Sequence, residues 1–170
     1  MASATYLQSL DSVYEDGTSR GITPSNRRQI ESFIASAAIV AGDLVSLDIS
    51  KIAAANPGVP ASKGWSEAAI ADAVLYIKKA DSTTSPGGAA IGFALEAATA
   101  AGDVIKVTVA GIHAEAKLAA AVNQGDRLKV TGTPGEAAAY GAGDTVPVIG
   151  YALADFDAAA KTPVFVIKQF

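Results

Sequence analysis

Ile91-Gly92-Phe93-Ala94-Leu95 returns later in the chain as Ile149-Gly150-Tyr151-Ala152-Leu153. Each copy runs through alanine-rich residues into alternating apolar positions, Ile105-Lys106-Val107-Thr108-Val109 and Val164-Phe165-Val166-Ile167. A one-residue gap aligns the copies from end to end. Apolar residues at a period of two mark a β-strand, and β-branched side chains fit its pleated surface. A short unit used twice is a duplicated supersecondary element, because a solenoid needs at least three units to bury its faces. The repeats at 91–110 and 149–168 therefore predict a mainly β fold, a small barrel or sandwich built on a duplicated strand unit. No catalytic group sits in either copy.

Working outward, a second signal recurs. Gly42-Asp43-Leu44-Val45, Gly102-Asp103-Val104-Ile105, Gly125-Asp126-Arg127-Leu128 and Gly143-Asp144-Thr145-Val146 share one pattern. Glycine supplies the positive φ of a tight turn. Aspartate bonds nearby backbone N–H groups. Each pair is expected to turn the chain into a strand. The aspartates are also candidate calcium ligands, but the Asp-x-Asp-x-Asp-Gly spacing of a calcium loop is absent. Turn roles are the expectation, with no metal.

Residues 1–25 form an N-terminal arm: polar, punctuated by Asp16-Gly17, Gly21 and Pro24, yet carrying Tyr6, Leu7, Val13, Tyr14 and Ile22. Such a segment is either a disordered terminus or an arm that orders against a partner. Residues 26–170 are expected to form a single β-rich domain. Ile30, Phe33, Ile34, Ala37 and Ala38 fit a helical template with Ser25 as N-cap. β-Branched Ile30, Ile34, Ile39 and Val40 suit a strand instead. Periodicity alone favours the helix. Residues 53–64 read as a loop and 66–71 as a short helix. Residues 73–78 read as a strand, in competition with one helix over 66–79. Residues 82–88 read as a loop, 132–135 as a turn and 137–143 as a small-residue loop. The last strand, from Val164, is expected to be tied into a sheet.

Half of the 170 residues are hydrophobic, but much of that half is alanine, and aromatic residues make up only 6% of the chain. Large side chains supply most burial energy, at roughly 25 cal/mol per Å². An alanine-heavy core is thin, and such a chain is expected to draw stability from partner subunits. The net charge of -4 disfavours nucleic acid, which is held by clustered Lys and Arg. The pair Arg27-Arg28, close to Glu31, is too short for a basic patch. Without cysteine there is no disulfide framework and no thiolate metal site. The first residues lack a signal-peptide pattern. No apolar run approaches the ~20 residues that span a bilayer. A soluble protein, made and used without export and without a cofactor, is expected.

Candidate chemistry is sparse. His113 is the only histidine. No Ser or Cys motif accompanies it, so a plain surface or turn histidine is expected. Asp155 and Asp157 flank Phe156 and suit a metal, a paired-carboxylate acid or an exposed loop. Gly87-Gly88 is not followed by Gly-Lys-Ser/Thr, so it is not a phosphate loop. Trp65 is either a core anchor or an interface hot spot.

The order of these elements resembles the capsid decoration, or cement, proteins of tailed bacteriophages, and in particular their longer cyanophage-like members. The resemblance runs through Gly42-Asp43-Leu44-Val45, Ile91 to Ala110, Gly125-Asp126-Arg127-Leu128 and Ile149 to Ile167. Ser25 to Phe33 is similar to the opening segment of the longer members. The first 25 residues and the 53–64 loop depart from the minimal pattern. The resemblance implies a mainly β fold with a strand over 28–35. It also implies a homotrimer bound to the major capsid protein on the outside of an icosahedral head, stabilising subunit contacts. Such a protein is made in the host cytoplasm and binds neither nucleic acid nor membrane. On this reading the arm makes the capsid contact by adding strands to its neighbours. Arg20, Arg27 and Arg28 would pair with shell carboxylates, and Tyr6, Leu7 and Tyr14 would be apolar anchors.

Two other classes stay open. A ligand- or carbohydrate-binding β-barrel module would be favoured by clustered aromatics, whereas Tyr6, Tyr14, Trp65, Tyr76, Tyr140 and Tyr151 are scattered in sequence. A β-barrel enzyme needs a convergent polar cluster, and none is visible in the sequence.

Overall fold

The computed structural model describes residues 28–48, 50–51, 75–82, 90–156 and 161–168. These contain nine strands: β1 (Arg28–Ala35), β2 (Leu44–Leu47), β3 (Tyr76–Lys79), β4 (Ala90–Ala94), β5 (Val104–Ala116), β6 (Arg127–Val130), β7 (Ala137–Ala139), β8 (Gly150–Ala152) and β9 (Thr162–Val166). The arm at 1–25, the 53–64 loop, the 66–71 helix and Trp65 lie outside the described residues.

Strand pairing makes the fold mainly β and closes a small barrel. The order β1-β3-β2-β4-β5 returns on itself through a β1–β5 pairing, giving five strands without a free edge. The second half repeats this plan. The order continues β5-β9-β8-β6-β7, and a single parallel bridge, Leu118 to Ala137, joins the end of β5 to β7. β5 is long because it serves twice. Its first half pairs with β1 and β4, and its second half with β9.

The duplication holds bond by bond. Gly42 N–H donates to Ala94 and Ala94 N–H to Asp43, at 2.8 and 2.9 Å. Gly125 with Ala152, and Ala152 with Asp126, repeat both bonds at 2.8 and 2.9 Å. The Ile39–Ala98 bridge recurs as Val122–Phe156. The parallel pairing Ala35–Ile77 recurs as Leu118–Ala137. The unit is thus larger than the repeat visible in the sequence, reaching back to β1 and to Leu118.

Each barrel has its own interior. Phe33, Ala35, Val45, Ile77, Ile91, Ala98 and Val107 fill the first. Their counterparts Ala116, Leu118, Leu128, Ala137, Ile149, Phe156 and Val164 fill the second. Large and small residues trade places. Ala35 beside Ile77 becomes Leu118 beside Ala137, and Phe33 with Ala98 becomes Ala116 with Phe156. Swaps that conserve total volume keep a core packed.

All four Gly-Asp pairs are turns, and their glycines have φ between 90° and 96°. Each aspartate reaches back to the N–H three residues earlier: Val40 (2.7 Å), Ala100 (3.0 Å), Asn123 (2.8 Å) and Gly141 (2.5 Å). Three of them lead directly into β2, β5 and β6. The fourth does not, because the chain after Asp144 runs irregularly to β8. In β4 and β8 the glycine is required by close approach. A Cβ at Gly92 would lie 2.0 Å from the Thr108 carbonyl oxygen, and one at Gly150 2.2 Å from that of Phe165.

Residues 28–35, which their spacing leaves open between helix and strand, are the strand that the resemblance implies: pairing with both β5 and β3 overrides the helical spacing. Two expectations are corrected. Residues 137–139 are a strand rather than part of a loop, because β6 pairs with them. His113 is neither superficial nor in a turn, but buried within β5.

Candidate functional site

Two surfaces stand out: the seam where the barrels meet, and its counterpart on the second barrel. The seam begins at Asp43, which the first Gly-Asp turn holds beneath the surface. Its buried carboxylate accepts from Lys117 Nζ at 2.6 Å and Lys79 Nζ at 3.1 Å. Lys79 belongs to the first barrel and Lys117 to the second, so one carboxylate ties the two together. A buried carboxylate is tolerated only with such partners. Backbone bonds complete the joint. Gly135 accepts from Leu44 N–H at 2.7 Å and donates to the Ala80 carbonyl at 2.9 Å. Ser82 N–H donates to Thr131, and Lys117 N–H to Gly42. The turn 131–135 of the second barrel is therefore seated between β2 and the end of β3.

Beside it runs a buried polar chain. Arg28 donates from Nε and Nη2 to Thr108 Oγ1 at 3.3 and 3.2 Å. The same hydroxyl lies 3.2 Å from His113 Nδ1. The Thr108 hydroxyl is thus shared between the guanidinium and the imidazole. Nε2 makes no hydrogen bond among the described residues. The ring stacks on Phe93 with centroids 5.4 Å apart. Burial, reinforced by the Arg28 charge, lowers the His113 pKa to about 4, against a smaller opposing effect of the Glu115 backbone. His113 is thus a neutral ring near pH 7. A cavity of about 330 Å³ opens next to it, lined by Arg28, Gly42, His113 and Glu115 among others. Lys161 pairs with Glu115 at 2.7 Å and holds its carboxyl below the usual range.

The equivalent surface of the second barrel is open. Gly125, Asp126, Arg127, Tyr140, Ala142 and Tyr151 line a depression of about 430 Å³. They occupy the places that Gly42, Asp43, Leu44, Ala80, Ser82 and Phe93 hold in the first barrel. Phe93 and Thr108 are fully buried, whereas Tyr151 and Phe165, their counterparts, are 40% and 38% exposed. The Arg127 guanidinium lies over the Tyr140 ring, 5.9 Å from its centroid. Lys129 bonds Asp144 at 2.6 Å and, with the Gly141 N–H, keeps that carboxyl below the ordinary range.

Of the expected capsid contacts, only Arg28 is described, and it faces inward to Thr108. Tyr6, Leu7, Tyr14, Arg20 and Arg27 lie outside the described residues, as does Asp157. Asp155 caps a loop by accepting from Gln124 N–H at 2.7 Å. Thr108, Lys79 and Lys117 escaped the sequence reading. A threonine inside a run of valines was the available signal for Thr108. Nothing local singles out the two lysines.

No protein-family model matches the chain, and a search of curated proteins finds no relative. Among solved structures it is similar to the N base of the head fiber protein gp8.5 of bacteriophage phi29. The TM-score is 0.52 and the identity 14%, covering 84% of this chain and 96% of that one. At this identity the likeness establishes the shared fold.

Proposed function

We propose that this chain is a non-catalytic structural protein of a tailed-phage virion, bound as a homotrimer to the outer surface of the icosahedral head. There it stabilises contacts between subunits of the major capsid protein. The observation that carries the proposal is the fold shared with a phage head fiber base along nearly its whole length. The order of Gly-Asp turns and Ile-Gly-φ-Ala strands supports the same reading independently. So does the chemistry: the one histidine is buried, neutral and stacked on Phe93. The net charge of -4 suits a surface that does not bind DNA. Several weak contacts made together by one trimer gain strength through multivalency.

The test is co-sedimentation of the purified chain with expanded, undecorated heads of its virus, titrated to saturation. Saturable pelleting at a fixed ratio to capsid protein is expected. A folded chain that stays in the supernatant would overturn the proposal and favour a ligand-binding module. In the same assay, deletion of residues 1–25 is expected to weaken binding and leave the circular dichroism spectrum unchanged. Undiminished binding would remove the arm as the capsid contact.

A further inference from the structure

The joint between the barrels has two halves. One is a receiving face, formed in the first barrel by Leu44, Ala80 and Phe93. The other is a presenting end, formed in the second barrel by Lys117 and the turn ending at Gly135. Because the barrels are copies, the described part of each half exists again. The receiving face recurs on the second barrel as Arg127, Tyr140 and Tyr151, and no described segment is seated on it. The presenting end recurs on the first barrel, where Ile34 stands for Lys117 and Leu75 for Gly135. There Leu75 is 41% exposed, and Ile30, on the same outward face of β1 as Ile34, is 43% exposed.

The geometry points to a head-to-tail contact between copies of this chain, in which the Ile34–Leu75 end of one molecule docks on the Tyr151–Phe165 face of the next. A second copy is the occupant because every molecule carries both missing halves. The chemistry has changed to match. Lys117 and Asp43, an ion pair inside the chain, correspond to Ile34 and Asp126 on the free surfaces. Leu44, Ala80 and Thr108 correspond to Arg127, Tyr140 and Phe165. Arginine and tyrosine are the residues that dominate contacts between separate proteins. The free joint is thus aromatic on one side and aliphatic on the other. A contact between different patches is heterologous, and it either closes into a ring or grows open-ended. Closure into a ring of three gives the trimer, and for that number alone the inference rests on the proposed function.

Sedimentation equilibrium of the purified full chain, without heads, tests this separately from capsid binding. The wild-type chain is expected to associate. Tyr151→Arg and Leu75→Arg, both at exposed positions, are each expected to sediment as monomers with unchanged circular dichroism. An equimolar mixture of the two variants restores one intact joint, from the Leu75 end of the first to the Tyr151 face of the second. It is expected to give heterodimers and nothing larger. A monomeric wild type, association that survives either substitution, or a mixture that stays monomeric would each overturn the inference.

Discussion

The two barrels are built to one plan and differ most where they meet neighbours. In the first barrel, Phe93 and Thr108 are sealed beneath the second barrel, and Asp43 is held by two lysines. In the second, Tyr151 and Phe165 stand open, and Asp126 only caps its own turn through the Asn123 N–H. The same backbone therefore serves as an internal joint in one copy and as an external surface in the other. Bonding within the strands was kept through the duplication, while the outward side chains diverged.

The most severe test of the equivalence is at the glycines. Gly92→Ala and Gly150→Ala each push a methyl group into a backbone carbonyl that cannot withdraw. Both are expected to destabilise by about 4 kcal/mol or more, the range reserved for severe packing and strain defects. Urea denaturation measures this, and a mild effect at Gly150 would break the parallel between barrels.

Next come the pairs expected to differ. Asp43→Ala strands two lysines at the seam and should cost about 3–5 kcal/mol, whereas Asp126→Ala should cost about 1 kcal/mol. Phe93→Ala should likewise cost about 3–5 kcal/mol, and Tyr151→Ala, in dilute protein, no more than about 0.5 kcal/mol. Equal losses within either pair, measured by the same denaturation midpoints, would contradict the contrast drawn between a filled and an open face.

A smaller effect concerns pH. The folded His113 pKa, about 4, lies below the ordinary 6.5. Its contribution to stability is complete above pH 6.5 and declines as pH falls, because the unfolded chain takes up the proton first. The decline should reach about 2 kcal/mol by pH 5. The carboxyls of Asp48, Glu96, Asp103, Glu115 and Asp144 are all lowered, which moves their titration away from that window. His113→Gln should flatten the profile between pH 6.5 and 5. An unchanged slope would mean that another group titrates there.

The legibility of the fold follows from what the duplication preserved. Glycines that touch a carbonyl and aspartates that cap a turn are hard to replace, so Gly92 with Gly150, and Gly42-Asp43 with Gly125-Asp126, survive in both copies and are visible in sequence. The interior residues of the upstream half do have substitutes. Ala35 with Ile77 became Leu118 with Ala137, and Phe33 with Ala98 became Ala116 with Phe156. The total volume was kept while the pattern was erased, so the repeat could be read only from Ile91 onward. β1 stayed ambiguous for a different reason. Its spacing of Ile30, Phe33 and Ile34 also fits a helix, and only pairing with the distant β3 and β5 decides the matter. The open face was illegible because Arg127, Tyr140 and Tyr151 are far apart in sequence and gather only when β6 and β8 pair.

Hydrogen exchange of two amides tests most directly the claim that the barrels carry one filled and one open copy of the same face. The Tyr151→Arg variant is the material to use, since its open face cannot be covered by a second copy. The Leu44 N–H, bonded to Gly135 at 2.7 Å, is expected to exchange only with unfolding of the seam. The Arg127 N–H, its counterpart, has no such turn seated on it among the described residues and is expected to exchange at least a hundredfold faster. Equal protection at the two positions would contradict the account.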